Sequence, residues 1–127
     1  MVKALAFAVP GELTMPTGGY GYARRMVAEL KALGWDTQVI NLGTEYPWPR
    51  PHTRLLAAAA LGAVSGHTPL VIDGLAYGAL PEIAQNLCET HRLVALVHHP
   101  LALETGLRAD QCAELHATEE AALKATS

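Results

Sequence analysis

The feature that most limits the fold is a change of hydrophobic period that recurs along the chain. Residues 2–9 (VKALAFAV) form a short, mostly apolar run that Pro10 and Gly11 interrupt. Such a run marks a strand buried on both faces, as in a parallel sheet. A Gly/Pro/Thr-rich stretch follows, with Pro16 suited to a turn. The spacing then becomes helical. Tyr22, Met26, Leu30 and Leu33, with Ala23 and Val27, share one face, while Arg24, Arg25, Glu29 and Lys31 lie mostly off it. Thr17 is expected to cap this helix and Gly34 to end it in the left-handed conformation. Asp36–Asn41 (DTQVIN) reads as the second strand. A strand–helix–strand unit of this size is a right-handed crossover with parallel strands.

The alternation continues to the end. Residues 42–52 (LGTEYPWPRPH) read as a loop because of Pro47, Pro49 and Pro51. Residues 53–64 are helical by Ala/Leu propensity, with Thr53 as the expected cap. Residues 69–73 (PLVID) form a third strand ending in Asp73, followed by a loop from Gly74 to Gly78. Pro81 opens a helix over residues 80–90, with Ile83, Ala84, Leu87 and Cys88 inward. Residues 92–97 (RLVALV) form a fourth buried strand running into His98-His99-Pro100. Residues 101–107 are loop. Residues 110–124 are a helix with Asp110 as cap and Leu115, Ala122 and Leu123 inward. This order predicts an α/β fold, a Rossmann-like open parallel sheet of about four strands with helices on both faces. The 127 residues, half of them hydrophobic, suffice for one domain with one core.

Composition removes several function classes. Nine Lys+Arg against twelve Asp+Glu leave no basic footprint for nucleic acid. No apolar run reaches the roughly 18 residues that cross a membrane, and the N-terminal run is too short for a signal peptide. The two cysteines, Cys88 and Cys112, read as small buried apolar residues. A reduced, cytoplasmic setting follows as the expectation.

In an open α/β sheet, ligands sit beyond the C-terminal ends of the strands. Three such ends carry chemistry here. The first is the glycine stretch before the first helix, where unpaired N–H groups and the helix dipole receive anions. Gly18, Gly19 and Tyr20 are its candidate ligand contacts; alternatively, the glycines only let the loop turn close to the sheet. The stretch lacks the P-loop pattern. Arg24 stands where a dinucleotide fingerprint has its third glycine, and the second strand ends in Asn41 rather than an acidic residue, which disfavours NAD. The second end is Asp73, suited to bind a sugar hydroxyl or simply to cap the next turn. The third is His98-His99, which Glu104 could join. A histidine there can hydrogen-bond a hydroxyl-rich substrate or exchange protons near neutral pH, or be structural. Adjacent strand residues face opposite ways, and His52, His67, His91 and His116 are scattered, so no metal site is expected. No serine stands in a nucleophile elbow. Tyr46 and Trp48 could stack on a sugar, although packed loop anchors are the favoured reading.

The stretches PTGGYGYARRMVAELKALGWDTQVINL and ALVHHPLALETGL resemble the opening of the retaining glycosyltransferases with two Rossmann-like domains (GT-B architecture, group 1 or family 4). The resemblance lies in the paired glycines, the amphipathic helix and the strand ending in a histidine, in that order. Leu33-Gly34-Trp35-Asp36-Thr37 is a looser variant of the family's Leu-x-x-x-Gly-His-Glu-Val text. The likeness covers nearly all of the chain. It implies transfer of a sugar from a nucleotide-sugar donor to a hydroxyl acceptor with retention, without metal or other cofactor. It implies that Gly18 and Gly19 approach the donor's phosphates or the acceptor. His98 then matches the catalytic histidine beside the transferred sugar, and His99 is the second candidate. The family's second domain, with its paired-glutamate motif and basic pair, has no counterpart in these residues. The expectation is therefore an acceptor-side, N-terminal domain, incomplete at its C-terminal end and inactive alone, whose exposed edge could form a homodimer. The full-length enzyme would be cytoplasmic or membrane-peripheral. The alternative is a stand-alone, non-catalytic α/β module that binds a nucleotide or a sugar.

Overall fold

The computed structural model describes residues 3–11 and 18–127. Four parallel strands, β1 (Ala4–Val9), β2 (Asp36–Asn41), β3 (Leu70–Asp73) and β4 (Leu93–Leu96), form one open sheet in the order β2-β1-β3-β4. The helices are α1 (Gly18–Ala32), α2 (Pro51–Gly62), α3 (Gly74–Tyr77), α4 (Pro81–Leu87) and α5 (Ala109–Leu123). This is the expected Rossmann-like α/β fold. The chain moves one way from β1 to β2 and the other way from β2 past β1 to β3. Right-handed crossovers in opposite directions put α1 and α2 on opposite faces of the sheet. The alternation in β1 serves both sides. Leu5, Phe7 and Val9 pack with Ala23 and Val27 of α1. Ala6 and Ala8 face the larger core built with Ala57, Leu61, Tyr77, Ala84, Leu87 and Ala122.

Several elements differ from expectation, each for a local reason. Helix α2 starts at Pro51, whose fixed φ suits the first helical position, with Arg50 extended at the N-cap. Thr53 is therefore inside the helix, buried, and donates its hydroxyl to the Glu45 carboxylate instead of capping. Residues 74–77 are a short helix and not a loop. Asp110 is not the cap of α5. Arg108 takes that place, its N–H donating to Oε1 of Gln111. Asp110 pairs with the Arg108 guanidinium at 3.1 Å, which holds its carboxyl below the usual range. Gly34 does end α1 with a positive φ of 91°, but the expected cap Thr17 lies outside the described residues.

Several residues expected inside helices are exposed or only half-buried. Helix α4 stops at Leu87, so Cys88 at its C-cap is exposed; Cys112 is half-buried. Leu33 lies in the turn beyond the end of α1, and Leu123 is the last residue of α5. Tyr22, in the first turns of α1, is half exposed and meets the His98 ring instead of the core. β4 is less buried than expected, since it is an edge strand: Leu93 is inside while Val94 is exposed. At that edge the N–H of Ser127 donates to the Leu93 carbonyl and its Oγ accepts from the Leu93 N–H, both at 2.9 Å. Among the described residues no helix is long and apolar enough to cross a membrane.

Candidate functional site

The site is built at the C-terminal ends of β3 and β4. Strand β3 finishes at Asp73 and the chain turns at once into α3. Oδ1 of Asp73 accepts the Leu75 N–H at 2.9 Å, satisfying one of the unpaired donors that open a helix. The capping alternative for Asp73 is therefore realised. It uses only one carboxylate oxygen.

Gly74 sets how closely this turn meets β4. A Cβ at that position would lie 3.0 Å from the Leu96 carbonyl oxygen and 3.1 Å from Cα of Val97, both backbone atoms that cannot swing aside. Glycine allows the approach. The parallel register pairs Asp73 with Leu96, so residues just beyond Leu96 emerge beside Asp73. His98 does so: its Nε2 lies 3.5 Å from Oδ2 of Asp73, the oxygen not used in the cap. The Asp73 side chain is 11% exposed and that of His98 38%, so a largely buried carboxylate stands beside an accessible imidazole. On the other side of His98 stands Tyr22, its ring centroid 5.6 Å away and its plane at 87°. That edge-to-face arrangement is a favoured one for aromatic rings.

His99 belongs to a second, more open pair. Its Nε2 is 2.8 Å from Oε2 of Glu104, and both side chains are more than half exposed. Glu104 thus joins His99 and not His98. The turn between them is a 3-10 segment, Leu101–Leu103. It is tied to α5, since the Leu101 N–H donates to Oε1 of Glu119 at 3.3 Å. Glu119 is buried, and its Oε2 has no hydrogen-bond partner among the described residues.

The structure therefore brings together Asp73 and His98 and adds Tyr22, while His99 and Glu104 form their own pair. Gly18 and Gly19 are the first two residues of α1 rather than a loop before it. Residues 12–17, and the side chain of Tyr20, lie outside the described residues. Tyr46 is a loop anchor: its hydroxyl donates to the Leu42 carbonyl at 2.9 Å, and burial, opposed by Arg54 and aided by Glu45, pushes its phenol up to about 12. Trp48 is partly exposed in the same loop. Among the described residues no group of three or more His, Cys, Asp and Glu is placed to hold a metal ion.

Two residues of the site region escaped the sequence reading. Tyr22 was assigned inward, and a signal was available: an inward residue in the first turns after β1 faces the sheet's end, where ligands bind. Glu119 shares an inward stripe with Leu115 and Ala122, and a charged residue on such a stripe is itself a signal. Chemically, an imidazole backed by a carboxylate and flanked by an aromatic ring can orient a hydroxyl, accept its proton, or donate to an anionic oxygen. Comparisons with protein-family models, curated proteins and solved structures return no match for this chain.

Proposed function

We propose that this chain is the acceptor-side domain of a retaining glycosyltransferase, moving a sugar from a nucleotide-sugar donor to a hydroxyl acceptor. The observation that carries the reading is the His98–Asp73 pair at the C-terminal end of the parallel sheet, beside the start of α1. Asp73 fixes the imidazole, and His98 holds a hydroxyl of the transferred sugar. The opening turn of α1, with Gly18 and Gly19, offers backbone N–H groups to the donor's phosphates. In the resembled architecture most of the nucleotide is held by a second Rossmann-like domain, so this chain supplies one wall of the cleft and is inactive by itself. No metal or other cofactor takes part in this reading.

The same pair favours a second reading. A histidine backed by a carboxylate can take the acceptor's proton as a general base, and direct displacement would then invert the anomeric centre. A third outcome, binding without transfer, would mark a non-catalytic nucleotide- or sugar-binding module. One experiment separates them: a donor screen on the protein as its gene encodes it, with the anomeric configuration of the product read by NMR. Retention supports the reading. Inversion selects the general base. Binding without turnover selects the module, and neither binding nor turnover with any nucleotide sugar contradicts all three.

A further inference from the structure

The solvent side of α2 is unlike that of the other long helices. Helix α1 exposes Arg24, Arg25, Glu29 and Lys31, and α5 exposes Glu114, His116 and Glu120, the usual charged face of a surface helix. On α2, Thr53, Ala57 and Leu61 point inward, and the opposite face is Leu55, Leu56, Ala58, Ala59 and Gly62, all exposed. Leu55 is 72% accessible and Leu56 56%. The one charged side chain of the helix, Arg54, is drawn to the flank, where it donates to the Ala79 carbonyl and lies 3.9 Å from Glu82. No Lys, Arg, Asp or Glu interrupts the outer stripe, and His52, exposed in the first turn, is its one titratable side chain.

Gly62 adds an independent anomaly. Glycine is among the poorest helix formers, and here the monomer gives no reason for it. Its φ is not positive, and a Cβ built on it would meet nothing within 4 Å. A side chain would fit, yet the position is left bare.

We propose that α2 is a self-association surface, and that its occupant is α2 of a second copy of this chain, antiparallel about a two-fold axis between Ala58 and Ala59. That axis sets each residue opposite the one equally far from the midpoint. Leu55 of one copy then lies over Gly62 of the other, and Ala58 lies over Ala59. The large side chain meets the empty position twice, which is the self-complementarity an isologous contact requires. The alanines at the crossing point let the helix axes approach to about 8 Å. Antiparallel helices also align opposite dipole ends. The 12 residues of α2 span about 18 Å, so the contact buries on the order of 500 Å² per copy, near the lower limit for a specific interface. Association is accordingly in the micromolar range or weaker. Of the two edges of the sheet, β2 and β4, the β4 edge is obstructed because Ser127 already occupies the Leu93 position. None of this depends on the sugar-transfer reading.

Sedimentation equilibrium of the 127-residue chain, up to about 0.5 mM, tests the proposal, with circular dichroism to verify folding. The wild type is expected to approach dimer with rising concentration. Leu55→Glu should remain monomeric, and Val94→Lys at the β4 edge should dimerise like the wild type. Gly62→Leu is the discriminating variant: it improves helix propensity, so the dilute monomer should melt no lower, yet it fills the cavity meant for Leu55 and should weaken association at least tenfold. A wild type that stays monomeric throughout overturns the proposal. So does Leu55→Glu or Gly62→Leu that associates like the wild type, or loss of the dimer on Val94→Lys.

Discussion

His98 and His99 are adjacent in sequence, and each turns Nε2 to a carboxylate, but the two carboxylates differ in burial. His98 is held by a carboxylate that is itself fixed: Asp73 is largely buried, caps α3 and ends a central strand. His99 is paired with Glu104, an exposed residue in the following turn. The first imidazole is preorganised by the core, and the second is held by a surface ion pair of the kind that contributes little. The difference teaches that a strand-end histidine becomes a candidate for chemistry through what lies behind it. Here that support is Gly74, which brings the Asp73 turn against the end of β4, and Tyr22, which closes the other side.

The comparison can be broken most forcefully by turnover. In the protein as its gene encodes it, His98→Ala should lower sugar transfer about a hundredfold, with His99→Ala close to wild type; equal losses would erase the distinction. The next largest effect should come from the backbone approach. Gly74→Ala should destabilise the fold by about 1–3 kcal/mol, since its Cβ overpacks against Leu96 and Val97, and urea denaturation reads this directly. Asp73→Ala follows, at about 1 kcal/mol for the lost cap. Asp73→Asn separates the two duties of that carboxylate: the amide oxygen keeps the cap, so stability should hold while His98 loses its charged partner and transfer falls. The counterpart Glu104→Ala should cost less than about 0.5 kcal/mol. Smallest is the ring contact. Tyr22→Leu should lose about 0.5–1 kcal/mol, and Tyr22→Phe should restore it, as measured by chemical denaturation of the two variants.

The fold was legible because short apolar runs and helical stripes alternate without ambiguity, and an open parallel sheet of about four strands followed; the order β2-β1-β3-β4 came from the structure. Boundaries were less so. Pro51 and Arg108 set helix starts that Thr53 and Asp110 had seemed to mark, because a fixed φ and an extended residue can open a helix without a side-chain cap. In the site, Asp73 and His98 were readable from their positions at strand ends. Their partnership was not, since it depends on the Asp73–Leu96 register and on a glycine whose necessity shows only when β4 is placed beside it. Glu104 was associated with the histidines, but which ring it meets is decided by the 3-10 turn at Leu101–Leu103. The four alanines of α2 in a row implied close packing, yet Ala57 is buried while Ala58 and Ala59 lie on the outer face. Its meaning emerged only once Thr53, Ala57 and Leu61 were seen to bury the opposite side.

The most direct test of the central claim is the 1H–13C spectrum of the histidine rings of the protein as its gene encodes it, assigned with His98→Ala and His99→Ala, during titration with UDP-, GDP- and ADP-glucose in turn. The account predicts that at least one of these donors shifts the His98 ring signals saturably while those of His99 stay in place. A His98 ring that responds to none of them, or a response at His99 alone, would contradict it.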